Sequence, residues 1–84
     1  MIITYSPSFL RIYKKMSLEV KEKVEEKEVT FKEDPFDPRL KTHKLNGDLS
    51  GLWAFSVDYS IRIIFEFENQ ETVKFHAIGG HDIY

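Results

Sequence analysis

The chain has 84 residues, 42% hydrophobic and 14% aromatic, with no cysteine and a formal net charge of −2. That length gives one domain, residues 1–84, whose small core must lean on seven Phe, four Tyr and one Trp. The absent cysteines exclude disulfides, thiolate metal sites and a cysteine nucleophile. No apolar run approaches the roughly 18–20 residues of a membrane span, and the first residues lack a signal-peptide pattern, so a soluble cytoplasmic protein with no membrane partner is expected.

Ile2-Ile3-Thr4-Tyr5 reads as a short strand of β-branched and aromatic residues. Ser6-Pro7 then opens a helix, with serine as N-cap and proline at the first helical position. Phe9, Ile12, Tyr13 and Met16 form one apolar stripe. Ser17 caps a second helix running to about Phe31–Lys32, with Val20, Val24 and Phe31 facing inward. Glu19/Lys23 and Glu28/Lys32 are favourably oriented i,i+4 pairs on its solvated side. The prolines of Asp34-Pro35-Phe36-Asp37-Pro38 end the helical region.

From Leu40 onward the hydrophobic period becomes two, which predicts an antiparallel meander laid over the helices. Pairing Val57 with Ile61, Phe55 with Ile63 and Trp53 with Phe65 leaves Asp58-Tyr59-Ser60 as the turn. The next hairpin is expected to oppose Phe67 to Val73, Phe65 to Phe75 and Ile63 to Ala77 around Asn69-Gln70-Glu71. That register puts Ser56 beside Arg62, and Ile64 beside His76, on the face away from the helices. A short strand near Lys41–Leu45 joins through Asn46-Gly47 and Gly51. The expected class is α+β: an N-terminal strand, a helical hairpin, then a three- to four-stranded antiparallel meander.

The net charge divides unevenly, with +2 over residues 1–45 and −4 over residues 46–84. Arg39, Lys41 and Lys44 surround His43 and form the best candidate for an anion-facing patch, although the slightly acidic total speaks against a nucleic-acid partner. No phosphate loop, dinucleotide fingerprint, zinc spacing or serine elbow is present, and His43, His76 and His81 lack metal-ligand spacing, so neither a metal nor another cofactor is expected. Taken singly, Arg62 reads as an ion pair with Asp58 or Glu66, His43 as an exposed loop residue, and His76 as a surface group. The tail His81-Asp82-Ile83-Tyr84 reads as a frayed end that Gly79-Gly80 could instead fold back over the open sheet face.

Three stretches taken together change that picture. His43 to Trp53 reads H-x-L-x-G-x-x-x-G-x-W, Arg62 to Phe65 reads R-I-I-F, and the end is Ile78-Gly79-Gly80-His81-Asp82-Ile83-Tyr84. With Tyr5-Ser6-Pro7-Ser8-Phe9 and Lys14-Lys15, the sequence resembles the RelE/ParE superfamily of type II toxin–antitoxin toxins, most closely the YafQ-like branch, over nearly its whole length. The resemblance implies a RelE-like fold and a cytoplasmic toxin that cuts ribosome-bound mRNA without a metal. In that chemistry the ribose 2′-OH attacks the adjacent phosphate, which requires a base, an acid and a fixed cation. It assigns His81 and His43 to acid–base roles, Arg62 to the transition state, and Tyr84 to orienting the base or phosphate. Lys41, Lys44 and Arg39 would hold the RNA backbone. Ser56 stands where the branch can carry another histidine.

The implied partners are a cognate antitoxin protein, the ribosome and mRNA, with Ile64, Ile78, Ile83 and Tyr84 as apolar anchors for the antitoxin. A ParE-like toxin that inhibits gyrase, and a degenerate module that only binds antitoxin, are the alternatives within the same resemblance. The His43/His81 pair counts against the ParE-like one.

Overall fold

The computed structural model describes residues 1–84, apart from the side chain of His81, which lies outside the described residues. Strand β1 (Ile2–Tyr5) leads into helices α1 (Pro7–Lys14) and α2 (Leu18–Glu33). Strands β2 (His43–Lys44), β3 (Trp53–Ser56), β4 (Arg62–Phe67) and β5 (Thr72–Gly79) follow, with short 3-10 turns at Pro38–Leu40, Gly47–Leu49 and His81–Ile83. The α+β class is as expected, and the sheet has five strands in the order β1-β5-β4-β3-β2. Strands β2 to β5 form the antiparallel meander, while β1 pairs in parallel with β5, Ile3 opposite Val73 and Tyr5 opposite Phe75.

Both helix starts follow from their caps. Ser6 Oγ accepts from Phe9 N at 3.0 Å with Pro7 behind it, and Ser17 Oγ accepts from Val20 N at 3.2 Å. The helices cover one face of the sheet. There Phe9, Val24, Phe31 and Leu40 close over Phe55, Val57, Ile63, Phe65, Val73, Phe75 and Ile78. Phe31 sits at the centre, 4.8 Å from the Phe55 ring and edge-on to Phe65 and Phe75, the offset and T-shaped geometries that aromatic quadrupoles favour. The Tyr5 hydroxyl donates to the Glu28 carboxylate and ties β1 to α2; burial, then that bond, push its pKa up. No helix among the described residues is long and apolar enough to cross a membrane.

The β3–β4 register is the expected one: Trp53 opposes Phe65, Phe55 opposes Ile63 and Ser56 opposes Arg62. The β4–β5 hairpin starts as expected, with Phe67 opposite Val73 and Phe65 opposite Phe75, and then slips. Ile64 faces Ala77, Ile63 faces Ile78 and Arg62 faces Gly79, so the expected pairs Ile63/Ala77 and Ile64/His76 do not form. The cause is a β-bulge that inserts His76 as an extra residue. Its carbonyl accepts from Ser6 Oγ at 2.7 Å, and the neighbouring Phe75 carbonyl accepts from Ser6 N at 2.9 Å. The extra residue inverts side-chain parity beyond it. Ile78 therefore points into the core, 1% exposed, and is no surface anchor; Ile64 on the other face is equally shut away, at 3%.

Ser6 thus caps α1 and satisfies the bulge with one hydroxyl. Ser6→Ala is expected to lower unfolding free energy by about 2 kcal/mol, the combined scale of a lost cap and a stranded buried carbonyl, measured by urea denaturation. A loss below about 0.5 kcal/mol would contradict this role of the hydroxyl.

Candidate functional site

Residues opposite one another in a sheet share a face, so the pairings define what lies on the side away from the helices. One row there is His43, Ala54, Ile64 and Ala77; the next is Ser56, Arg62 and Gly79. The tail folds back onto this face through Gly79. A Cβ on Gly79 would lie 2.4 Å from Ile83 Cγ2, so only glycine lets Ile83 seat so closely. The adjoining Gly80 faces the Ser60 carbonyl, with 3.6 Å from an added Cβ to that oxygen. The last 3-10 turn, His81–Ile83, is thereby held beside the start of β4.

Arg62 is fixed by backbone. Its Nη1 donates to the carbonyls of Asp58 (2.7 Å), Tyr59 (3.1 Å) and Ile61 (3.3 Å). The Asp58 carboxylate turns the other way, accepting from Ser60 N and Ile61 N, both at 2.8 Å, and from Lys23 at 3.4 Å. Partial burial pushes the Asp58 carboxyl up, but these hydrogen bonds outweigh it and its pKa is lowered. Glu66 binds His76, at 2.8 Å. Among the described residues Arg62 therefore makes no ion pair with Asp58 or Glu66, the partners that the sequence alone suggests, and donates to carbonyl oxygens of the turn.

His43 Nδ1 lies 3.0 Å from the Lys41 carbonyl. A carbonyl only accepts, so Nδ1 carries the hydrogen, and Nε2 of the neutral ring keeps its lone pair. The Tyr84 ring meets the His43 ring edge-on, with centroids 6.2 Å apart. The structure therefore brings His43, Tyr84, Arg62 and Ser56 to one face. His81 opens the adjoining turn, but its side chain lies outside the described residues.

Round the end of the sheet a cleft of about 260 Å³ opens from Arg62 towards α2. Four cations line it, Lys27, Arg39, Lys41 and Arg62, together with one acid, Asp58, over a floor of Ser56 and Val57. Arg39 is partly neutralised by a bidentate pair with Asp37 (Nε to Oδ1 3.0 Å, Nη2 to Oδ2 2.8 Å), whose hydrogen bonds hold the Asp37 carboxyl down at about 2. Lys44 lies elsewhere, its ammonium 5.4 Å from the Trp53 ring on the helix side of the sheet. Lys27 reads from sequence as one more solvated helix lysine. A signal was present: positions three and four away hold Lys23, Val24, Thr30 and Phe31, so Lys27 alone among the interleaved lysines lacks a helical acid neighbour. Among the described residues, no three His, Cys, Asp or Glu side chains converge as a metal site.

A strand, a helical hairpin over one sheet face and a tail folded onto the other together make a RelE-like fold. The YoeB/ParE toxin from Agrobacterium tumefaciens superposes with a TM-score of 0.81 at 19% identity, over 96% of this chain and 99% of that one. YafQ from E. coli gives 0.77 at 17% identity (96% and 93% covered), and YoeB in the YoeB-YefM complex from Staphylococcus aureus gives 0.79 at 19% (96% and 97%). At such identities the likeness is one of fold. No protein-family model and no curated protein matches the sequence.

Gly79→Ala is expected to unseat Ile83 and abolish the His43–Tyr84 ring contact, read as nuclear Overhauser effects, at a stability loss of about 1 kcal/mol. Ile83→Ala in the same chain removes the clashing methyl and should restore the contact. Persistence of the contact in Gly79→Ala alone would contradict the seating.

Proposed function

We infer that this chain is the toxin of a type II toxin–antitoxin pair, and that its outer-face site is a ribosome-dependent, metal-free mRNA endoribonuclease working in the cytoplasm. The observation that carries this reading is the convergence of a backbone-fixed Arg62, a His43 with a free Nε2 lone pair, and Tyr84 on one sheet face. The toxin folds that the chain resembles support the coarser half of it. The YoeB-YefM complex, described for Staphylococcus aureus as a toxin-antitoxin assembly, supports a cognate antitoxin as partner.

The chemistry follows from the groups present. Cleavage by 2′-OH attack forms an O2′–P bond and breaks the P–O5′ bond. Nε2 of His43 accepts the 2′-OH proton, for which its Nδ1–H tautomer is prepared. His81, the resemblance's C-terminal histidine, delivers a proton to O5′ as it leaves. Arg62 faces the phosphorane charge with a permanently charged guanidinium held by three carbonyls, so little reorganisation is needed when that charge develops. Tyr84 orients the reacting nucleotide beside His43. Arg39 and Lys41 hold the flanking backbone electrostatically; Lys44, stacked on Trp53, contributes only long-range charge.

Expression without antitoxin should arrest growth and produce new mRNA ends on ribosomes. His81→Ala should abolish both, and Arg62→Ala should slow cleavage by roughly 100- to 1,000-fold, the scale of one lost transition-state donor. Intact mRNA and normal growth under the wild-type protein would contradict the reading.

A further inference from the structure

The cation cleft reaches beyond the reacting groups, and one residue at its lip has no structural reason to be where it is. Tyr59 is 93% exposed, the most exposed of the large hydrophobic side chains, yet it lines the same cleft as Lys27 and Arg62. An aromatic ring left in water usually marks a surface that something else covers. The turn that carries it is far from loose. Asp58 accepts from the backbone N–H of Ser60 and Ile61 and pairs with Lys23, while Arg62 donates to the carbonyls of Asp58 and Tyr59. These contacts fix the backbone of the turn from which the ring projects. Across the cleft Lys27 projects from α2, within electrostatic range of Asp37 but, among the described residues, in no ion pair with it.

An exposed aromatic ring on a well-held turn, beside a group of cations, is what an unpaired nucleic-acid strand needs. Phosphates follow the positive charge, and any base can stack on the ring. We propose that Tyr59 and Lys27 form a flanking-nucleotide subsite, Tyr59 stacking on an unpaired base and Lys27 holding the adjoining phosphate as the strand leaves Arg62 and runs round the end of the sheet towards α2. The subsite rests on the nuclease reading above and extends its substrate contacts to nucleotides beside the reacting one. It also explains the lysine that lacks a helical acid partner: an ion pair at Lys27 would cancel the charge that the phosphate meets.

The test uses the full chain and a single-stranded DNA oligonucleotide of about eight nucleotides, which lacks the 2′-OH and cannot be cleaved by this route, with binding read by fluorescence anisotropy. Tyr59→Ala should weaken binding roughly tenfold, Tyr59→Phe should bind as the wild type does, and the Tyr59→Ala loss should vanish on an abasic strand of the same length. Lys27→Ala should weaken both strands alike and lower the slope of log K against log salt by about 0.7. Equal binding by wild type and Tyr59→Ala, an equal loss on the abasic strand, or an unchanged salt slope in Lys27→Ala would overturn the subsite. mRNA cleavage is assayed separately. A wild type that binds in this pattern but leaves ribosomal mRNA whole overturns the nuclease reading instead.

Discussion

The bulge at His76 is the constraint on which the rest of the molecule depends. Without the extra residue, strand alternation would turn Ile78 outward and Gly79 towards the helices. The tail would then leave the sheet on the wrong face, and neither Ile83 nor Tyr84 could reach the face that holds His43, Ser56 and Arg62. The bulge is held by Ser6, a residue seventy positions away, which accepts from the first turn of α1 while donating to the bulge carbonyl. Core and site are thus coupled through one hydroxyl. The same residue that starts the helical layer fixes which side of β5 carries the tail.

Arg62 is the second joint. Its guanidinium binds the turn carbonyls, and its backbone pairs with Gly79, where the tail begins. The cations across the 260 Å³ cleft stay largely uncompensated because the acids nearby are already committed. Asp58 is held by Lys23 and two backbone N–H groups, and Asp37 is clamped by Arg39. The net charge of −2 therefore says little about this face. Most other acids sit on α2 and along the meander, and the cleft lining carries four cations against one acid.

Much of this was legible in the sequence where the signals are local. Ser6-Pro7 and Ser17 mark the helix starts, and the period-two pattern sets the β3–β4 register, because a one-residue slip there would bury charge. The bulge was not legible, since what stabilises it is a hydroxyl distant in sequence, and strict alternation put Ala77 inward in place of Ile78. The parallel pairing of β1 was hidden for the same reason: its partner comes last in the chain. Of the residues gathered on the outer face, His43, Arg62 and Tyr84 stand out in the sequence only through the resemblance, their individual patterns pointing to ordinary surface groups. Lys44 was grouped with Arg39 and Lys41 by proximity in sequence, but strand alternation sends it to the Trp53 side. Lys27 and Tyr59 escaped because a lysine on a charged helix and a tyrosine in a turn gain meaning only when the fold sets them across one cleft.

The central claim is that this face carries out attack by the neighbouring 2′-OH, and the chemistry of the cut ends tests it most directly. Purified protein acting on ribosome-bound mRNA should leave a 2′,3′-cyclic phosphate on one fragment and a 5′-hydroxyl on the other, and a message with a single 2′-deoxy residue before the cleaved phosphate should survive. Fragments with 5′-phosphate ends, or cleavage of the deoxy-substituted message at the same position, would contradict the account.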